Sequence, residues 1–310
     1  MLEERFSIKE VLPFLSKELD FIFLGPGMDE RCHYFVNAIK GQFRGKFVRF
    51  ELDINDNALK IFEATHRKEY NLVHDGYLVR DLENYLRHLP ISGKNVCIDI
   101  TGIQHQVLFF LTQVLLQKVK PARFFAVYTE PKIYDKSIVN DSYQLTEEFL
   151  GLRALPGFAR LTEEASKGIL TAFLGFEGNR FLSIYDSVQP ATGRAIPIVG
   201  FPAFAPGWKA VALAANKKEL EETQAIDEIC FCDASSPFAA YKVLEETHKR
   251  FYNRQLIIAP LGTRPHALGS VLYILKHPGC ALIYDHPKEK KYRSIGTRKC
   301  HVYHVSRFLM

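Results

Sequence analysis

Four glycine-bearing turns carry the residues best suited to chemistry in this sequence, and the chemistry they suit is capture of an anion. The turns are Leu24-Gly25-Pro26-Gly27, with Arg31 behind it, Asp99-Ile100-Thr101-Gly102, Leu174-Gly175, with Arg180 behind it, and Leu261-Gly262-Thr263-Arg264-Pro265-His266. Each follows an apolar run and opens a helical pattern. Unpaired N–H groups and the positive end of the helix dipole then face whatever lies beyond the strand. Glycine lets a ligand approach the backbone, and such places take phosphates.

The last turn is the most informative. Thr263 offers a hydroxyl, Arg264 a forked cation suited to phosphate or carboxylate, and Pro265 a backbone preset for a first helical turn. The competing reading is a plain tight turn with Arg264 in solvent. Asp99, in an apolar strand, either fixes its loop by bonding nearby amides or takes part in chemistry. Arg31 and Arg180 each stand near a helix start, where the dipole disfavours a cation; a ligand phosphate would relieve that, and so would Asp29, Glu30 or Glu177. The candidate ligand-binding set is therefore Gly25, Gly27, Arg31, Asp99, Thr101, Gly102, Gly175, Arg180, Gly262, Thr263, Arg264 and His266. Neither G-x-G-x-x-G nor a Walker A pattern occurs, so dinucleotide dehydrogenase and ATPase readings lose support. No nucleophile elbow or zinc-protease motif stands out, so no catalytic residue and no cofactor is assigned. Cys230-Phe231-Cys232 lacks a second pair at metal-site spacing, and no metal is expected.

The elements that must position these turns read as alternating short strands and helices, which predicts parallel sheets covered by helices. Strands are expected at 20–24, 46–52, 95–100, 123–128, 169–174, 195–200, 228–232, 255–259, 280–284 and 299–305. Helices are expected at 29–40, 55–68, 75–89, 104–118, 208–222, 237–251 and 265–276, with Ser236 as cap and Pro237 at the first position of the sixth. Two blocks recur about half a chain apart. The Leu-Gly turns ending in Arg31 and Arg180 are one; the other is a glycine turn, helix and strand ending Tyr128-Thr129-Glu130-Pro131-Lys132 or Tyr284-Asp285-His286-Pro287-Lys288. The expectation is an α/β protein of two Rossmann-like units from an internal duplication: residues 1–142, a helical joint at 143–167, and 168–310.

Composition agrees with a folded protein. The chain has 310 residues, 47% of them hydrophobic and 24% charged, which excludes disordered and collagen-like classes. The formal charge of +5 is mild and gathers in part at Lys288, Lys290, Lys291, Arg293, Arg298, Lys299 and Arg307, a segment that could touch nucleic acid or merely be a solvated edge. No apolar run approaches the roughly 20 residues of a membrane span, and no signal peptide is visible, so a cytoplasmic protein without a membrane partner is expected. The stretch from Pro197 to Trp208, stiff and apolar, could form a lid, a base-stacking wall or a docking surface, or simply a buried connection.

Asp99-Ile100-Thr101-Gly102 after a strand, together with Leu24-Gly25-Pro26-Gly27 after the first strand, resembles the CRISPR-associated Rossmann-fold (CARF) sensors of bacterial defence. The resemblance implies loops that contact a cyclic nucleotide messenger and paired units about a two-fold axis. The family's turn usually continues Gly-Gly-Thr-Lys, whereas this one continues Ile103-Gln104-His105; Gly262-Thr263-Arg264 is the closer match. The leading expectation is a protein that binds a phosphate-bearing ligand, a nucleotide first of all, in a crevice between its halves and signals to a partner protein in antiviral defence. The alternatives are an enzyme acting on a nucleotide or sugar phosphate, and a ligand-free subunit of a protein complex.

Overall fold

The computed structural model describes residues 4–53, 55, 56, 58–65, 70–135, 145–149, 151, 152, 155, 157, 158 and 167–309. The protein is mixed α/β and divides into two units, residues 1–134 with 291–310, and residues 135–290.

In the first unit β1 (Arg5–Ser7) leads into α1 (Ile8–Glu18) and β2 (Phe21–Leu24). A 3-10 turn and the short α2 (Tyr34–Ile39) follow, then the strands β3 (Lys46–Asp53), β4 (Ala58–Thr65) and β5 (Asn71–Tyr77). Next come α3 (Leu82–His88), β6 (Asn95–Asp99), α4 (His105–Val114) and the long β7 (Arg123–Tyr134). The apolar runs of β2 and β6 are buried on both faces, as parallel strands under helices require. Ile22, Leu24, Cys97, Phe125 and Val127 pack beneath α1 and α2 with Leu15, Phe35 and Ile39.

The second unit begins, among its described residues, with β8 (Thr146–Phe149) and β9 (Ile169–Phe173). It continues through α5 (Gly178–Val188), β10 (Ala195–Gly200), α6 (Trp208–Glu222), β11 (Cys230–Cys232), α7 (Pro237–Arg250), β12 (Leu256–Pro260), α8 (Arg264–Lys276), β13 (Ala281–Leu282) and β14 (Pro287–Glu289). Its five-stranded sheet runs β11-β10-β9-β12-β13 and is parallel throughout. Ser236 caps α7 by accepting from the Ala239 amide at 3.1 Å, with Pro237 in the first turn. Gly269 lets α8 lie against α7: a Cβ there would stand 2.3 Å from the Pro237 carbonyl oxygen.

The chain then returns to the first unit. β15 (Ser294–His304) pairs antiparallel with β7 and with β1, completing an eight-stranded sheet of order β1-β15-β7-β6-β2-β3-β4-β5, and α9 (Val305–Phe308) follows it. The expected last strand is present but belongs to the first sheet, because β7 is twelve residues long and offers β15 a partner edge. Three other expectations change. The segment read as a helix at 55–68 holds β4, an antiparallel partner of β3, since Leu59 and Ile61 supply a buried strand face. Of the expected joint at 143–167, residues 146–149 form a strand paired with β14, and most of the remainder lies outside the described residues. The helix expected at 75–89 is shorter, with β5 occupying its start.

Within each sheet the parallel strands follow the same order. β2 is flanked by β3 on one side and β6, then β7, on the other; β9 is flanked by β10 on one side and β12, then β13, on the other. Successive connections diverge from β2 and from β9, and ligands of open α/β sheets bind at such a point, beyond the carboxyl ends of the strands.

The tight α7–α8 contact fixes the start of α8. Gly269→Ala should lower the stability of the protein by about 1–3 kcal/mol in urea unfolding despite the helix preference of alanine. Gly279→Ala, where an added Cβ meets nothing within 4 Å, should change it by less than about 0.5 kcal/mol.

Candidate functional site

At the carboxyl edge of the second sheet, the loops after β9 and β12 meet. A Cβ on Gly175 would stand 3.0 Å from the Leu261 carbonyl oxygen, so glycine permits the approach. The fully buried Asn216 of α6 holds the same loop, its Nδ2 donating to the Gly175 carbonyl at 2.9 Å and to Ala212 at 2.8 Å. Arg180, in the first turn of α5, spans three loops. Its Nε and Nη2 each donate to Asp285 at 2.7 Å, its Nη1 donates to the Leu261 carbonyl at 3.4 Å, and its guanidinium lies 5.8 Å from the centre of the Tyr284 ring. Burial works against this charge, but the Asp285 carboxylate outweighs it and raises the pKa of Arg180 above the ordinary arginine value.

Arg264 is the first residue of α8 and only 5% exposed. Its Nη2 donates to both carboxylate oxygens of Glu289 at 2.9 Å, while its Nε and Nη1 are buried with no hydrogen-bond partner. Leaving buried donors unsatisfied costs roughly 1–3 kcal/mol each, more on a charged group. Thr263 caps the helix, its hydroxyl accepting from the His266 amide at 3.3 Å and donating to the Ala234 carbonyl at 2.7 Å. The first-turn N–H groups have no acceptor within the helix, and Pro265 contributes none.

His266 completes the turn. It is fully buried against Phe173, ring centres 4.8 Å apart, and its Nε2 lies 3.1 Å from the Asp233 carbonyl. That contact assigns the proton to Nε2 and leaves Nδ1 a bare acceptor, buried without a partner. Burial lowers the pKa to about 4, opposed in part by the Asp233 carbonyl. The imidazole is therefore neutral at pH 7 and can accept a hydrogen bond at Nδ1, but it holds no acidic proton there to give.

The carboxyl edge of the first sheet is built differently. A Cβ on Gly25 would meet the Gly102 carbonyl oxygen at 2.2 Å, one on Gly27 the Cys32 Cβ at 2.3 Å, and one on Gly102 the Gly27 Cα at 2.9 Å. These glycines serve a backbone-to-backbone contact between the loops after β2 and β6. Asp99 accepts from the Thr101 amide at 3.0 Å and so fixes its own loop, and the Thr101 hydroxyl accepts from the Thr129 amide at 3.0 Å and ties that loop to β7. Arg31, 2% exposed, donates through Nε to Ser294 at 2.9 Å and through Nη1 to the Thr129 carbonyl at 2.9 Å, and it lies 5.7 Å from the centre of the Tyr128 ring. Asp29 stands 3.6 Å from the same Nε.

The structure thus brings the expected residues together as two groups. Gly175, Arg180, Gly262, Thr263, Arg264 and His266 meet at one carboxyl edge; Gly25, Gly27, Arg31, Asp99, Thr101 and Gly102 meet at the other. Glu130 and Asp285, which lie in the endings of the repeated blocks, are engaged by His301 at 2.7 Å and by Arg180. Glu289, Asn216 and the Asp233 carbonyl were not foreseen, since nothing in their local pattern marks them. Three of the basic side chains near the C-terminus are ion-paired: Lys288 with Glu147, Lys290 with Asp135 and Arg307 with Glu4. Among the described residues no group of three or more metal-ligating side chains occurs, and no helix is long and apolar enough to cross a membrane. A comparison with protein-family models finds no match, and neither does a search of curated proteins.

Two measurements probe this geometry. Asp285→Ala, which strands the Arg180 guanidinium, should cost about 3–5 kcal/mol of stability. Unfolding frees the His266 imidazole from about 4 to its ordinary 6.5, so the unfolded chain binds more protons between those values. The contribution is whole above pH 6.5 and is lost as pH falls toward 4, by about 3 kcal/mol. Urea midpoints should fall more steeply over that window in the wild type than in His266→Gln; parallel curves would contradict the assignment.

Proposed function

We propose that the carboxyl edge of the second sheet binds a phosphate-bearing ligand, with Arg264 as its principal anchor. The observation that carries this reading is the buried Arg264 guanidinium at the head of α8, with two of its three nitrogens lacking an acceptor. A phosphate oxygen supplies the missing acceptors, at the positive end of the α8 dipole. Thr263 orients the turn, Gly262 keeps the backbone open to approach, and Arg180 braces the neighbouring loops. Glu289, 28% exposed on its side chain, holds the place on Nη2 that the incoming phosphate takes over. The ligand class is a nucleotide, and the resemblance to CARF sensors would make it a cyclic nucleotide messenger.

We also propose that the two units descend from one ancestral unit. The shared strand order supports this, as do the matched pairs Arg31 with Tyr128 and Arg180 with Tyr284. On this reading the first copy has closed its edge with its own groups, and the second has kept an unfilled one.

Titration calorimetry with a panel of mono-, di- and cyclic nucleotides tests the function. At least one should bind, Arg264→Ala should abolish that binding with the melting temperature as a check on folding, and Glu289→Gln should tighten it about tenfold by removing the competing carboxylate, roughly 1.4 kcal/mol. Absence of binding by every nucleotide and by phosphorylated sugars would sink the proposal.

A further inference from the structure

Phe201 and Phe231 are among the large apolar side chains that the second unit leaves in solvent, 51% and 48% exposed. Phe201 follows β10 directly, and Phe231 sits on the edge strand β11 beside it, with Val199 as its register partner. Their rings meet edge to face at 6.2 Å, and the ammonium of Lys209 lies over both, 4.9 and 5.2 Å from the ring centres. A cation centred on two exposed aromatic faces fixes their orientation at the cost of their exposure to water.

The position of this pair ties it to the anchor. Pro202, next to Phe201, accepts from the Ala234 amide at 3.0 Å, and the Ala234 carbonyl accepts from Thr263, the residue before Arg264. A Cβ on Gly200 would stand 2.9 Å from that of Ala234 and 3.7 Å from the His266 ring. The loops after β10, β11 and β12 are thus laced together along one carboxyl edge, with Arg264 heading the helix after β12, Phe201 opening the loop after β10, and Phe231 on β11 beside it. Behind them Phe176 and Phe204 both meet Trp208 edge to face, backing the loop from beneath.

We infer that Phe201 and Phe231, with Lys209, form the surface on which the base of the bound nucleotide stacks. This deepens the phosphate-binding reading and rests on it: Arg264 takes the phosphate and the aromatic pair takes the π-face. Stacking tolerates any base, so the discrimination it supplies is between a nucleotide and a phosphate lacking a base.

The test compares one nucleotide, the fluorescent 1,N6-ethenoadenosine monophosphate, with ribose 5-phosphate. The wild type should bind the nucleotide about tenfold more tightly and quench its fluorescence on stacking. Phe201→Leu with Phe231→Leu, which keeps the apolar bulk, should remove the tenfold advantage and the quenching while leaving ribose 5-phosphate affinity unchanged. Phe201→Trp should retain both. Equal wild-type affinity for the two ligands, an unaltered nucleotide affinity in the double variant, or equal loss of both ligands would overturn the inference while leaving the phosphate site standing. Failure of the wild type to bind either ligand would overturn this inference, and together with no binding across the calorimetric panel it would overturn the phosphate reading as well. Capture of a protein partner through the pair, with nucleotide binding unaffected by its loss, would assign the surface to docking and overturn the inference too.

Discussion

A guanidinium withdrawn from water must find oxygen acceptors for its N–H groups, and the carboxyl ends of both sheets are organised by that demand. Arg31 meets it with Ser294, the Thr129 carbonyl and Asp29; Arg180 meets it with both oxygens of Asp285. Each cation thereby ties a helix start to chain remote in sequence, the middle of β7 and the start of β15 in one unit and the segment after β13 in the other. Remove the acceptor and the cation is left both buried and unpaired, the arrangement with the largest penalty in a protein interior. Arg264 alone of these three is left incomplete, and that shortfall distinguishes the second unit's edge from the first.

The contrast between the edges follows from what fills them. In the first unit the glycines at 25, 27 and 102 bring two loops into direct contact, and the polar groups of Asp99 and Thr101 turn inward to hold them. In the second unit the corresponding loops meet at Gly175 and Leu261, but the turn beyond carries Thr263, Arg264 and His266, and two of these keep buried nitrogens without partners. A neutral His266 offers an acceptor and a charged Arg264 offers donors, both in the first turn of α8.

Much of this was legible in the sequence. The strands at β2, β6, β9, β10 and β12 are short apolar runs bounded by glycine or proline, and their alternation with helices predicts parallel sheets. The turns at 175–180 and 262–266 stood out because glycine followed by arginine before a helix has a definite physical meaning. The repeated Tyr128 and Tyr284 blocks marked the residues that receive Arg31 and Arg180, although their role was not apparent. What escaped was long-range. The residues of β4 carry enough polar spacing to read as a helix, and only pairing with β3 decides between the two. The return of β15 to the first sheet depends on the free edge of β7, and Glu289 meets Arg264 only through the strand pairing of β14 with β8, a contact no local pattern announces.

The Arg264 Nε–H, buried without an acceptor, can be observed directly. In 15N-labelled protein the Arg264 Nε–H resonance, assigned by its loss in Arg264→Lys, should shift saturably and gain protection from exchange on addition of a nucleotide. A resonance that remains unchanged at saturating nucleotide would contradict the account.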